Sequence, residues 1–269
     1  MVGRLRRKLA IASWRPAREG NIYGKVTVDA TEALAYLQDV RERTGDKVTI
    51  THLVGKAVAA ALASEPTLNG YIRLGSFKEH DQVALTFLVT MPDGSDLAKA
   101  KIDHIDRKPI TEVAAELRSA AIDLRDGRDE NWEKNKQVIS LLPTWLLRPL
   151  LWLTGLLASS FGVNAPALGV EPFPFGSGVV TSVGMFGLDE AFVPQTPFAR
   201  VPLWVLVGAV KERPAVVDGK VVPRPMLTVT ATIDHRFVDG FQGAALAREF
   251  HRVFDDPWSL DDRVEAPVD

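Results

Sequence analysis

A histidine and an aspartate four residues apart, His235 and Asp239, have the side chains best suited to proton transfer in this sequence. They end the segment MLTVTATIDHRFVDG, in which apolar residues alternate with threonines before charged residues appear. A free imidazole has a pKa near 6.5, so at neutral pH it can take a proton from a thiol or hydroxyl held in line with it. His235 is therefore a candidate general base.

The same residues also have structural interpretations. The alternation predicts a strand with threonines on one face and with His235 at its end. Asp239 is expected to cap a following helix, with Gln242 in the capping-box position. Asp234 and Arg236 are expected to form an ion pair. A histidine at a strand end is more often structural than catalytic, so spacing alone leaves both roles open. The apolar face of the strand comprises Leu227, Val229, Ala231 and Ile233.

Composition narrows the classes of function. The 269 residues include 32 Lys and Arg against 34 Asp and Glu, which gives a net charge of -2 and no basic field for nucleic acid. The chain has no cysteine, so disulfides, thiolate metal sites and a cysteine nucleophile are excluded, and any thiol chemistry must use a substrate thiol. His235 and Asp239 form no ligand set that zinc prefers, so we expect no metal. No signal peptide is indicated, and we expect a cytoplasmic protein.

Periodicity predicts strands in NIYGKVTVDA, VALTFLVTMPDG, PLWVLVGAV and AVVDGKVVP, the last with a tight turn at Asp218-Gly219. Helices are predicted over residues 31–43, from an N-cap at Thr51 to a stop at Pro66, in ITEVAAELRSAAIDLR, and after Gly240. Mixed elements without a repeat period predict one α/β or α+β domain. The first helix is expected to bury Ala33, Leu34, Leu37 and Val40.

The apolar segment VISLLPTWLLRPLLWLTGLLASSFGV, residues 138–163, breaks this pattern because it is long enough to cross a bilayer. Pro143, Arg148 and Pro149 interrupt it, and a central arginine costs roughly 2.5 to 3.5 kcal/mol on insertion scales, so a membrane span is disfavoured. Two other interpretations stay open. The segment forms a helical hairpin packed on the protein or on a neighbouring subunit, or it forms a surface that lies on a membrane or partner.

The segment DHRFVDG, residues 234–240, resembles the D-H-R-x-x-D-G signature of the dihydrolipoamide acyltransferase catalytic domain of 2-oxo acid dehydrogenase complexes. Further segments are similar in the same order, namely SWRP, VTVDATEAL, VGKAVAAALASEPTLNGYI, VVTSVGMFGLDEAFVP and VVPRPMLTVTATIDHR. Together they cover most of the chain. The family is related to chloramphenicol acetyltransferase, so the resemblance implies that fold, a mixed β-sheet flanked by helices.

The resemblance implies acyl transfer between coenzyme A, as a substrate, and a thiol such as dihydrolipoamide. This chemistry needs a base for the thiol proton and a hydrogen-bond donor for the oxyanion of the tetrahedral intermediate. His235 matches the base. Thr181 stands where the family has a serine hydroxyl that binds the oxyanion, and Asp239 would orient the site as well as cap its helix. The substrate-binding candidates are Ser182, adjacent to Thr181, and Asn69, which serves equally well as a turn residue.

The resemblance also implies an obligate trimer with its active site between subunits, the histidine from one subunit and the hydroxyl from its neighbour. Coenzyme A would enter this channel from one end and dihydrolipoamide from the other. The similarity begins almost at Met1, with no lipoyl domain, peripheral subunit-binding domain or Pro/Ala-rich linker before it. We therefore expect residues 1–269 to form a single catalytic domain that receives any lipoyl group in trans.

Three features depart from the family. GSDLAKAKI places charges where the family has an apolar strand, residues 131–169 look inserted, and the acidic tail lacks the apolar residues through which family trimers dock into larger cores. We expect a trimer that does not assemble further by that route, with the insert as a substitute contact. The departures keep a second class of function open, a catalytically weak scaffolding relative whose insert contacts an assembly or a membrane.

Overall fold

The computed structural model describes residues 20–90, 97–126, 128, 139, 141–166 and 170–263. Within these ranges the chain forms nine strands and five α-helices. In chain order they are β1 Asn21–Asp29, α1 Thr31–Thr44, α2 Ile50–Ser64, β2 Gly70–Arg73, β3 Ser76–Glu79, β4 Leu85–Thr90, β5 Leu97–Ile102, α3 Ile110–Arg125, α4 Thr144–Phe161, β6 Gly178–Ser182, β7 Leu203–Val207, β8 Lys211–Val217, β9 Lys220–Asp234 and α5 Gly240–Asp255.

Seven of the strands form one mixed sheet, in the order β1-β9-β7-β6-β4-β5, with β8 paired to β9. Strands β4, β6 and β7 run parallel to their neighbours in this group, whereas the other pairs are antiparallel. Strands β2 and β3 form a separate hairpin. The predicted fold class, a mixed sheet with flanking helices, is confirmed.

Strand β9 joins the sheet together because its 15 residues pair with three other strands. Its first half pairs with β8 across the predicted turn, where Asp218 and Gly219 both adopt positive φ. The predicted alternation is confirmed, since the apolar residues from Leu227 onwards face the main core. The threonine face is buried too, and Thr230 donates its hydroxyl proton to the carbonyl of Ala191.

The helices have the predicted positions with two corrections. Leu34 is expected in the core but is 37% exposed, because it lies at the edge of the buried face of α1. Tyr36 is fully buried on that face instead. Thr51 is not the N-cap of α2. The extended backbone that an N-cap requires belongs to Thr49, so the helix begins at Ile50.

In the apolar segment, α4 continues through Pro149, so neither this proline nor Arg148 ends the helix. A hairpin is one expectation for residues 138–163, but Thr144–Phe161 form one continuous helix that ends before Gly162. The SWRP motif lies outside the described residues. Gly155 lets α4 approach the next segment closely, since a Cβ there would collide with the carbonyl of Phe198. No helix in the described part of the chain is long and apolar enough to cross a membrane.

A buried lysine fastens the turn before α3. Lys56 in α2 is 2% exposed, and its ammonium donates to the carbonyls of Ile105, Asp106 and Lys108 at 2.9, 3.0 and 2.6 Å. An ammonium offers three protons, so it can donate to all three carbonyls at once. The turn depends on Lys56 because its carbonyl oxygens accept hydrogen bonds from the ammonium where water is largely excluded.

We therefore expect Lys56→Met to lower the free energy of unfolding by about 3 kcal/mol, because buried carbonyls left without a donor cost roughly 1 to 3 kcal/mol each. Urea denaturation measures the change. Lys47→Met, at an exposed lysine, is the matched control and should stay within about 0.5 kcal/mol of the parent. Equal effects at the two positions would show that the buried bonds add nothing.

The burial of His52 is expected to make the free energy of unfolding depend on pH. Burial, together with the positive charges of Arg118 and Arg41, lowers the pKa of His52 from 6.5 to about 4, and its Nδ1 accepts the Thr49 N–H at 3.1 Å. Between these pH values the unfolded chain binds a proton that the folded chain refuses, so stability falls as the pH drops from 6.5 towards 4.

His52→Gln keeps an acceptor for the Thr49 N–H without titrating. It should reduce the loss of stability between pH 7 and pH 4 by on the order of 1 to 2 kcal/mol. The free energy of unfolding in urea across this range tests the expectation. Parallel pH curves for the two proteins would contradict it.

Candidate active site

His235 leaves β9 in an orientation fixed by its own loop. Its Nδ1 lies 2.7 Å from the carbonyl oxygen of Val238, and its backbone N–H donates to Gly20 at 3.3 Å. Because a carbonyl can only accept, Nδ1 must carry the proton of this bond. In a neutral ring Nε2 then holds a free lone pair, and the side chain is exposed. This is the tautomer that a general base requires.

The residues beside the histidine hold the turn. Arg236 donates from Nε to both carboxylate oxygens of Asp234 at 3.0 Å, and the Asp234 N–H donates to the carbonyl of Pro202 at 2.9 Å. The predicted ion pair is confirmed. The backbone bond to Pro202 fastens the end of β9 to the segment before β7, and the ion pair holds the turn, so together they fix the position of the His235 backbone.

Asp239 is the N-cap of α5, as predicted. Its Oδ1 accepts the N–H groups of Phe241 and Gln242 at 2.8 and 3.2 Å, and Gln242 Oε1 accepts the Asp239 N–H at 2.8 Å. The capping box is therefore closed in both directions. The exposed carboxylate stands one residue after the carbonyl that orients His235, so cap and base belong to one turn.

The candidate hydroxyls lie at the end of β6. Thr181 pairs with Leu206 and Ser182 with Val207, so their side chains lie on opposite faces of the sheet. Thr181 shares the face of the β9 threonines, whereas Ser182 lies on the face that the helices cover. The two hydroxyls are therefore not interchangeable, although they are adjacent in sequence.

The sheet register separates Thr181 from His235. Through Leu206, Thr181 is level with Thr230 of β9, five residues before the histidine and two strands away. With about 3.4 Å per residue and about 4.8 Å between strands, the two side chains start about 20 Å apart. Within one protomer they cannot act on the same atom.

The segment after Thr181 is anchored by a carboxylate and a glycine. Asp189 binds Lys211 at 2.5 Å and Arg213 at 2.9 Å, and the hydrogen bond from Lys211 lowers the pKa of the Asp189 carboxyl. A Cβ at Gly208 would collide with the carbonyl of Asp189. These contacts lay the segment across the ends of β7 and β8, and sequence patterns gave no sign of them.

Asn69 is 7% exposed, and the fold uses both ends of its amide. It donates to the carbonyl of Gln82 at 3.1 Å and accepts the hydroxyl proton of Ser177. The substrate-binding role expected for Asn69 stays a prediction. Cavities of about 370 and 350 Å³ border the β8–β9 hairpin, and neither is lined by His235 or Thr181. The described residues contain no cluster of three or more metal-ligating His, Asp or Glu side chains.

The cap can be tested apart from the charge of Asp239. Asp239→Ala removes both acceptor bonds and should lower the free energy of unfolding by about 1 kcal/mol, whereas Asp239→Asn keeps an acceptor oxygen and should cost less. Thermal and urea denaturation of the two variants give the comparison. Equal losses in the alanine and asparagine variants would mean that the charge, and not the cap, stabilises the fold.

Comparison with known proteins finds acyltransferases of 2-oxoacid dehydrogenase complexes and related systems. The family model described as 2-oxoacid dehydrogenases acyltransferase (catalytic domain) matches residues 18–140 and 167–261. A probable dihydrolipoyllysine-residue succinyltransferase component of the Schizosaccharomyces pombe 2-oxoglutarate dehydrogenase complex is 24% identical over 228 residues, covering 82% of this chain and 40% of that protein. The acetyltransferase component of the Bacillus subtilis acetoin cleaving system is 25% identical over 221 residues, covering 81% and 44%. The chain thus spans less than half the length of these relatives.

Solved structures give the same fold. A probable dihydrolipoamide acetyltransferase from Listeria monocytogenes has a TM-score of 0.66 at 19% identity, covering 98% of this chain and 93% of that chain. The Azotobacter vinelandii dihydrolipoamide acetyltransferase has a TM-score of 0.65 at 21% identity, covering 95% and 87%. Chloramphenicol acetyltransferase has a TM-score of 0.50 at 10% identity, covering 93% and 95%. Because the family model matches most of this chain, the chain belongs to the acyltransferase family of the 2-oxoacid dehydrogenases, as a catalytic domain.

Proposed function

We propose that the protein is a coenzyme A-dependent acyltransferase that moves an acyl group between coenzyme A and a thiol such as dihydrolipoamide. The observation that carries this proposal is the Nδ1 hydrogen bond of His235 to Val238, which leaves Nε2 as a base at the exposed end of β9. The relatives are succinyl- and acetyltransferase components. Coenzyme A is a substrate in this reaction, and the proposed steps use side chains alone.

The reaction begins when Nε2 of His235 takes the thiol proton of the acceptor. The thiolate sulfur attacks the thioester carbonyl carbon, which forms a new carbon–sulfur bond and an oxyanion. The tetrahedral intermediate then breaks its old carbon–sulfur bond, and the leaving coenzyme A thiolate takes the proton back from the imidazolium. The acyl group has moved, and the histidine is again neutral.

Thr181 is the proposed donor to the oxyanion. A hydrogen-bond donor in this role is worth roughly 2.7 to 4 kcal/mol in comparable sites. The work on the Azotobacter vinelandii enzyme names a serine, a histidine and an asparagine in its catalytic mechanism, the last two separated by four in their numbering. His235 and Asp239 have the same separation, with an aspartate in the second position.

The distance of about 20 Å between the base and the hydroxyl supports a site made by two copies of the chain, as in a homotrimer or larger homo-oligomer. Each end also has an exposed apolar surface. Met185 and Phe186 follow the hydroxyl strand at 72% and 61% exposure, and Phe241 follows Asp239 at 73%. Contact between the two ends of neighbouring copies would cover these side chains and complete the site.

We further propose that residues 1–269 form one catalytic domain with an insertion at about 131–169. The family model matches the chain on both sides of residues 141–166, which supports an insertion within one unit. A lipoyl group, where it is the acceptor, reaches the site from another domain or protein in trans.

The first experiment measures thiol release from acetyl-CoA and longer acyl-CoAs, with dihydrolipoamide as the acceptor. His235→Ala should lower the rate by about 10²- to 10⁴-fold, the usual contribution of a general base. Retained activity in this variant would overturn the assignment of the base. If neither protein turned over although both were folded oligomers, the scaffolding alternative would take the place of the acyltransferase.

The second experiment tests the shared site by mixing. His235→Ala and Thr181→Ala should each be strongly impaired alone, whereas oligomers assembled from both chains should regain activity, because one interface in each mixed ring pairs an intact histidine with an intact threonine. Ser182→Ala tests the adjacent candidate on the opposite face of the sheet, and a loss of rate there with Thr181→Ala unaffected would make Ser182 the donor. A mixture no more active than its two components would show that the site lies within one chain.

A further inference from the structure

Helix α4 exposes a broad apolar face. Leu147, Gly155 and Ala158 pack inward, whereas the opposite half of the helix lies in solvent and is entirely apolar. Trp145 is the most exposed of these side chains at 76%, and Leu153 follows at 54%. The face comprises Trp145, Leu146, Pro149, Leu150, Trp152, Leu153, Leu157 and Phe161.

A helix that is apolar on all sides is normally buried, and a continuous exposed apolar patch marks an interaction surface. The proposed acyl-transfer site does not account for this one. The family model ends at residue 140 and resumes at residue 167, so all of α4 lies outside the part of the chain that the family shares. The face therefore lies in a part of the chain that the family model does not match.

The dimensions of α4 disfavour a second copy as the occupant. Eighteen residues give a helix about 27 Å long and about 10 Å wide, so the exposed half offers about 270 Å². Two copies meeting along it would bury about 540 Å², well below the roughly 1,200 Å² of a stable protein interface. A lipid bilayer needs no complementary protein surface, so the exposed area of α4 is large enough for contact with a bilayer.

The chemistry of the face fits a lipid headgroup layer. Leucines fill its centre, and Trp152 lies at its edge, where the Arg200 guanidinium stacks over the indole at 4.9 Å from the ring centroid. Arg148 is the only charged residue of α4, and the helix has no carboxylate. Tryptophan at the boundary and cations at the rim suit the interface between acyl chains and anionic headgroups.

We propose that the exposed face of α4 lies on a lipid bilayer with anionic headgroups, with its leucines among the upper acyl chains and its arginine-flanked tryptophan edge at headgroup level. The helix lies along the surface and does not span it. This contact is independent of acyl transfer, since α4 contains none of the residues proposed for that reaction. It would hold the enzyme at a membrane.

Flotation of the whole protein with vesicles tests the contact. The protein should float with vesicles of phosphatidylcholine and phosphatidylglycerol in equal parts, and less with phosphatidylcholine alone. Leu153→Glu should reduce the floated fraction at least about tenfold, since a charge in the middle of the face opposes insertion. Ile122→Glu places the same charge on α3, at a side chain 44% exposed, and should float like the parent.

The depth to which α4 enters the bilayer is measured with phospholipids brominated in their acyl chains, which quench the fluorescence of nearby tryptophans. The parent should lose fluorescence on binding, and Trp145→Phe, which keeps the face apolar, should bind equally but lose much of this quenching. Absence of flotation with either vesicle, or flotation unchanged in Leu153→Glu, would overturn the proposal. If the parent ignored vesicles and Leu153→Glu lowered the mass of the oligomer, the occupant would be a second copy.

Discussion

The register of the sheet around β9 is the constraint on which the candidate site depends. This strand pairs with β1 and β7 in a fixed alignment, and β7 passes the alignment on to β6. A shift of one residue would turn the buried threonines and apolar residues of β9 to the wrong faces, so burial on both sides makes the alignment strict. The same alignment holds the histidine and the hydroxyl strand at opposite ends of the sheet, and the shared site proposed for neighbouring copies rests on that separation.

Local hydrogen bonds complete what the register begins. The carbonyl of Val238 fixes the tautomer of His235, while the Asp234–Arg236 pair and the cap at Asp239 fix the turn that contains it. None of these bonds reaches a substrate, yet each removes freedom that the imidazole would otherwise lose on reaction. Asp189 has the corresponding effect at the other end, through its ion pairs to β8.

Helix α4 lies in the part of the chain that the family model does not match, between two matched parts. It packs against the rest of the fold through Leu147 and small residues such as Gly155 and Ala158, and leaves most of its large side chains outside. An inward contact of this kind adds a surface without disturbing the sheet. The apolar face of α4 thus contains none of the residues of the proposed acyl-transfer site.

The sequence by itself determined the fold class, most strands and helices, the alternation along β9, the cap at Asp239 and the family. These features rest on periodicity and on short-range hydrogen bonding, which neighbouring residues decide. It was wrong where small offsets matter, as at Leu34 and Thr51, because a helix stripe and a first turn are fixed by packing and by the backbone of the preceding residue. Only the tertiary structure decided that Lys56 binds three carbonyls, that Thr181 and Ser182 face opposite ways, and that the base and the hydroxyl stand about 20 Å apart. Those relations join residues distant along the chain, and strand order and register, which set them, leave no local signal in a single sequence.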